Sequence, residues 1–167
     1  MIRIAMWSGP RNISTAMMRS WESRTDTFVI DEPYYAYYLS QTNLDHPGRD
    51  DVIRDGQLDS EKVSLGLVND TNGDCSVYYQ KHITHHILDS IDRKWMKSVT
   101  NCFLIRDPKD MIISYSRVHP DLNMHFDGGA NASSTSISRV SVFSQHFIPK
   151  KSALCRLHER TTVSSFR

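Results

Sequence analysis

Two arginines and three hydroxyls in this chain stand where they could grip phosphate. The first group is Arg11, Ser14 and Thr15, inside Ser8-Gly9-Pro10-Arg11-Asn12-Ile13-Ser14-Thr15. The second is Arg106 and Ser114, inside Arg106-Asp107-Pro108-Lys109-Asp110-Met111-Ile112-Ile113-Ser114. A guanidinium stays charged at any working pH, and its forked N–H groups match phosphate oxygens. Proton-transfer candidates complete the set: His82, His85 and His86 in Lys81-His82-Ile83-Thr84-His85-His86, and Glu32 in Asp31-Glu32-Pro33. A general base near neutral pH is most often His or a carboxylate.

The flanking sequence shows how these groups would be positioned. Ile2-Arg3-Ile4-Ala5-Met6-Trp7 reads as a buried strand, and a helix from Ile13 to Arg24 follows the loop. The first N–H groups of a helix have no partners within it and point out of its positive end, so a strand–loop–helix unit makes an anion site. A Walker A loop requires G-x-x-x-x-G-K-[ST], and here the second Gly and the Lys are missing. The plainer alternative is an ordinary turn with Ser14 as helix cap. Asn101-Cys102-Phe103-Leu104-Ile105 is another short apolar run, and Met111 to Val118 has a helical pattern that Asp107 can cap. Arg106 stands at the strand's carboxyl end, with Ser114 two helical turns on. Its plainer alternative is an ion pair with Asp110.

Together the two segments resemble the sulfotransferase family that uses 3′-phosphoadenosine 5′-phosphosulfate (PAPS). Pro10-Arg11-Asn12-Ile13-Ser14-Thr15 aligns with that family's P-K-x-G-T-T-like loop, with Arg11 in the lysine position. Arg106 to Ser114 reproduces its R-x-P-x-D-x-x-x-S pattern. The sequence most resembles a small bacterial-type branch beginning W-S-G-P-R-N-I-S-T, over about residues 2–125. The resemblance implies that Gly9, Pro10, Arg11, Asn12, Ile13, Ser14 and Thr15 hold the 5′-phosphosulfate. It also implies that Arg106 and Ser114 hold the 3′-phosphate. No metal is expected, because His82 and His86 lack the Glu of H-E-x-x-H and no second ligand cluster supports a site. Ile13 replaces the wider family's Gly. A β-branched residue does not readily take a positive φ, so a different loop path is expected.

The same resemblance bears on the base. In cytosolic sulfotransferases K-T-H follows the third strand and its His is the base, which favours His82, with His85 next. Glu32 resembles the E-P acid of carbohydrate sulfotransferases. The catalytic expectation is therefore Arg11 for charge, with His82, His85 or Glu32 as base. Tyr34, Tyr35, Tyr37 and Tyr38 suit either an aromatic acceptor pocket or an amphipathic helix packing its rings.

Thr27–Ile30 and Ser76–Gln80 are two more β-prone runs ending in polar residues. With the first two they predict an α/β fold: a parallel sheet of about four strands flanked by helices, a three-layer P-loop-like sandwich. A helix is expected over Thr84–Val99, where Ile87, Leu88, Ile91 and Trp95 keep helical spacing. Residues 41–73 form a long polar insert with a helix around Asp59–Val68, placed to cover the acceptor site.

The 167 residues, 39% hydrophobic and 23% charged, suffice for one sizeable core. A net charge of +1 provides no global field for nucleic acid or anionic membrane. Cys75, Cys102 and Cys155 have neither metal spacing nor a disulfide framework. No run is long enough to span a membrane and no export signal is visible, so a cytoplasmic protein is expected. Residues 1–127 read as a partial sulfotransferase-like domain and 128–167 as a Ser-rich basic tail of flexible type. A further cofactor-contacting segment is not found, so a truncated or alternatively ended member is expected.

Three functions compete. One is a sulfotransferase acting on a small-molecule hydroxyl, one a P-loop small-molecule kinase, and one a non-catalytic nucleotide-binding or interaction protein. Arg11 and the Arg106/Ser114 pair favour the first over the second, and the tail favours the third.

Overall fold

The computed structural model describes residues 1–117 and the backbone of Leu154–Cys155. Its elements run β1 (Ile2–Ser8), α1 (Ser14–Glu22), β2 (Thr27–Asp31), α2 (Tyr35–Gln41), α3 (Arg49–Asp55), α4 (Ser60–Asn69), β3 (Val77–Ile83), β4 (Thr100–Leu104), α5 (Pro108–Ser116) and β5 (Leu154–Cys155). The four expected strands form a parallel sheet in the order β2-β3-β1-β4, and the two-residue β5 pairs with β4. The rest of the Ser-rich segment lies outside the described residues.

Central strands buried on both faces need apolar cover on each side. On one face Met6, Tyr79 and Leu104 pack with Met18 of α1. Trp21 of α1 also stacks on Tyr79, with ring centroids 5.4 Å apart. On the other face Ala5, Trp7 and Phe103 pack with Tyr34, with Val63 and Leu67 of α4, and with Trp95 and Met96. This is the three-layer α/β arrangement expected. The chain leaves β1 toward β2 at one sheet edge, whereas β4 neighbours β5 on the other side. Such a divergence opens a crevice at the carboxyl end of β1.

The polar insert is largely helical. Asp59 caps α4, accepting from the N–H groups of Glu61 (3.0 Å) and Lys62 (3.2 Å). The expected helix over Thr84–Val99 is corrected. That stretch holds two 3-10 turns, Thr84–His86 and Lys94–Ser98. Ile87, Ile91 and Trp95 still reach the core. The backbone closes i→i+3 bonds instead, Ile87 N–H to Thr84 and Ile91 N–H to Leu88. Asp92 takes the N–H of Lys94 at 3.0 Å. Short polar side chains that bond nearby backbone compete with an α-helix. Among the described residues, no helix is long and apolar enough to cross a membrane.

Candidate functional site

The loop after β1 is closed by its own residues. Asn12 Nδ2 donates to the Gly9 carbonyl at 3.1 Å. The left-handed residue is Arg11, with φ 58°, whereas Ile13 sits at φ −81° and ψ 19° as the N-cap of α1. The β-branched residue at 13 thus has a negative φ, and the positive φ of the loop falls on Arg11. No side chain caps α1, Ser14 included. The N–H groups of its first turn are left for an acceptor from outside the helix. Ser14 is buried and Thr15 exposed.

The two phosphate motifs meet in space. Arg106 Nη1 donates to the Arg11 carbonyl at 2.8 Å, and Arg11 Nε donates to Ser114 Oγ at 3.2 Å. Residues 95 and 103 positions apart in sequence are thereby joined at one loop. Asp107 caps α5, accepting the N–H of Lys109 at 2.8 Å. The cap fixes where the helix begins, and so where Ser114 falls on it. Arg106 spends its contact on the loop carbonyl rather than on Asp110.

A cleft of about 560 Å³ opens over this loop. One wall is Gly9 to Asn12 with Ser14 and Thr15. Facing them are Glu32, Tyr35, Tyr38, Lys81, His85 and His86, with Leu44, Asp45 and His46 from the insert. The structure therefore brings Glu32 and His85 to the loop.

It does not bring His82 there. Successive side chains on a strand point to opposite faces. Lys81 and Ile83 reach the cleft, and His82 points into the opposite core. Its ring stacks on Trp7 at 4.3 Å, and Nε2 lies 3.4 Å from Gln80 Oε1. Burial pushes its pKa down to about 3, so the imidazole is neutral. His86 is buried as well, stacked on Tyr35 at 4.8 Å. Burial first, and then the neighbouring positive charges, hold its pKa well below the usual range.

Lys81, which the spacing argument left without a role, organises this wall. Its side chain is 4% exposed and its ammonium bonds Asp31 Oδ1 at 2.7 Å and Glu32 Oε1 at 2.5 Å. Burial lowers the ammonium's pKa, but the two carboxylates more than offset it and the group stays charged. Glu32 has φ 45°, a second non-glycine residue in the left-handed region. Backbone in that region costs energy and persists where surrounding contacts impose it. The register Asp31↔Lys81 sets the ammonium beside both acids. Glu32 Oε2 stands 3.8 Å from His86 Nδ1, beyond a hydrogen bond. A lysine inside a strand that begins Val77-Tyr78-Tyr79, with Asp-Glu closing another, was the signal available in the sequence.

The tyrosines divide between the two expected roles. Tyr34 is core, with its hydroxyl 2.8 Å from Ser64 Oγ. Tyr37 meets Ser90 at 3.0 Å. Tyr35 and Tyr38 line the cleft against the histidines.

A family model described as "Sulfotransferase domain" matches residues 2–143. Two Arabidopsis thaliana proteins are also similar. Branched-chain-amino-acid aminotransferase-like protein 1 is 37% identical over 117 residues, and branched-chain-amino-acid aminotransferase-like protein 2 is 33% identical over 117 residues. Each match takes in 70% of this chain and 21% of the relative. The chain thus spans about a fifth of the length of these curated relatives.

Proposed function

The chain belongs to the sulfotransferase family, and from that premise we propose that it transfers a sulfuryl group from PAPS to a hydroxyl acceptor. The observation that supports this reading is the Arg106–Arg11–Ser114 chain of hydrogen bonds, which joins the second motif to a loop residue that lines the cleft. Two cations, the hydroxyl-bearing start of α1 and the Ser114 hydroxyl on α5 are brought together there, a donor set suited to a nucleotide phosphorylated at both 3′ and 5′ ends. The donor set fits such a nucleotide: the first-turn N–H groups of α1, the Ser14 and Thr15 hydroxyls and the Arg11 guanidinium in the cleft, with the Arg106 guanidinium bonded to the Arg11 carbonyl. Bound there, the nucleotide supplies the activated sulfuryl group.

Each residue then has a task. The first turn of α1 and Arg11 hold the 5′ oxygens, where negative charge grows as the bond to sulfur breaks. Arg106 and Ser114 hold the 3′-phosphate, and they steady the loop's left-handed turn, Arg106 by donating to the Arg11 carbonyl and Ser114 by accepting from Arg11 Nε. Glu32 takes the proton of the acceptor hydroxyl. It lines the cleft, and Lys81 fixes its carboxylate by one oxygen. His85 lines the same cleft and is the competing base. An ATP-dependent kinase is the weaker reading, because the loop lacks the second Gly and the Lys of a Walker loop.

The test is ligand-induced stabilisation. A ligand that binds the folded state raises the melting temperature in proportion to its affinity. 3′-Phosphoadenosine 5′-phosphate is expected to stabilise the protein more than ATP with magnesium. Equal stabilisation by the two overturns the sulfotransferase reading.

A further inference from the structure

A second cavity, of about 460 Å³, lies beside the cleft between β2, α2, α3 and α4. It shares two residues with the cleft, Glu32 and Tyr35. Its apolar lining comes from Ile30, Ala36, Val52, Val63, Leu67 and Tyr78. Cavities of this size, largely apolar with a few placed polar groups, suit small molecules. The insert builds it: α3 ends at Gly56, where a Cβ would stand 2.3 Å from that of Ala36. Only glycine permits that approach, which closes one end of the cavity.

The charges on its rim are unbalanced. Asp31, Glu32 and Asp70 face Lys62. The Lys62 ammonium lies 3.5 Å from Asp59, and Lys81 serves Asp31 and Glu32 together. With the Arg3 guanidinium, which donates to the Asp70 carbonyl at 3.3 Å, the four carboxylates Asp31, Glu32, Asp59 and Asp70 still exceed the nearby cations Lys62, Lys81 and Arg3 by one. An anionic ligand is repelled here, and a neutral or cationic one is not.

Building on the proposed sulfuryl transfer, we propose that this side cavity holds the body of the acceptor, with its hydroxyl at Glu32 in the common wall. The acceptor class is an apolar alcohol or phenol, neutral or amine-bearing, without a carboxylate, sulfate or phosphate of its own. The left-handed backbone at Glu32 turns the chain at the end of β2, where the two cavities adjoin. The acceptor hydroxyl would give its proton to Glu32 and attack sulfur from the side opposite the departing phosphate oxygen, so that the acceptor enters from one cavity and the donor from the other.

The experiment measures binding by titration calorimetry with the full chain. The probes are tyramine and 3-(4-hydroxyphenyl)propionate, matched in shape and opposite in charge, and 3′-phosphoadenosine 5′-phosphate as a control for the donor cleft. Tyramine is expected to bind at least about tenfold tighter than the carboxylate, the equivalent of one modest charge interaction. Val52→Trp, which fills the cavity, is expected to weaken tyramine about tenfold or more and leave the nucleotide unchanged. Gln57→Trp on the exposed rim does the same where Val52→Trp fails to fold. Tyramine binding unaffected by both fillings overturns the proposal, as does equal affinity for the two phenols or no binding of either. Loss of nucleotide binding in the unmodified chain is a different result, and it overturns the donor reading instead.

Discussion

Arg106→Ala separates the bond that the guanidinium makes to the loop from the 3′-phosphate grip proposed for it. Its bond to the Arg11 carbonyl, at 2.8 Å on an exposed loop, steadies the phosphate loop for any ligand. A hydrogen bond of this kind contributes about 0.5–1.5 kcal/mol net, or about 2–10-fold in affinity. A direct grip on a 3′-phosphate is charge-assisted and adds about 1.5–3 kcal/mol, a further factor of about 10–150. Adenosine 5′-phosphosulfate has no 3′-phosphate and feels only the first loss. 3′-Phosphoadenosine 5′-phosphate feels both. The measurable quantity is the ratio of the two losses, read by titration calorimetry at fixed ionic strength because exposed charges are screened by salt. It is expected to fall between about 10 and 150. Arg106→Lys is expected to recover part of the 3′ grip but not the fork. A ratio of about 1 refutes the reasoning: Arg106 is then a loop clamp alone.

Arg11→Ala is expected to cut kcat by about 10²–10³-fold, the scale for one lost charge-stabilising donor, in steady-state sulfuryl transfer. Arg11→Gly loses the same catalysis yet melts higher than Arg11→Ala by the equivalent of about 1 kcal/mol, because glycine takes the φ of 58° freely. Glu32→Gln is expected to abolish the acidic limb of the pH–rate profile with nucleotide affinity retained; a dead His85→Ala beside an active Glu32→Gln moves the base to His85. His82 binds its proton in the unfolded chain near pH 6.5 but only near pH 3 in the fold, so the unfolded state gains protons first and stability falls as pH drops through that window. The expected loss is about 1 kcal/mol for each pH unit, followed by acid unfolding, and His82→Phe should flatten this slope. Lys81→Met leaves Asp31 and Glu32 without their shared cation, and thermal melts are expected to show a loss of about 2 kcal/mol, less than for a fully buried pair because Asp31 is 47% exposed.

Much of the loop after β1 and of the elements around it was legible because their signals are local. The strand–loop–helix at 2–22 and the strand-end Arg with Ser eight residues on depend on spacing along the chain. So do the four strands, which are short apolar runs. The stretch from Thr84 to Val99 misled because apolar spacing records which residues reach the core, not which hydrogen bonds connect them. Ile87, Ile91 and Trp95 do reach it, while Asp92 and the i→i+3 bonds divert the backbone.

The choice among the candidate bases depended on tertiary structure. Lys81 and His82 are neighbours in sequence, and the pleat of β3 sends one to the cleft and the other to Trp7. Nothing in residue type or spacing sets which face of a strand will meet the phosphate loop. That is decided by the register against β1 and β2, where long-range pairing aligns Trp7 with His82 and Asp31 with Lys81. The side cavity has the same origin, since its walls come from residues 30 to 78 and exist only where α3 and α4 fold back over β2 and β3. The sequence by itself determined the local units and the chemistry they carry, because dihedral preferences and apolar spacing act over a few residues. The tertiary structure decided which of those groups share a cavity, because burial and strand register are properties of segments far apart in the chain.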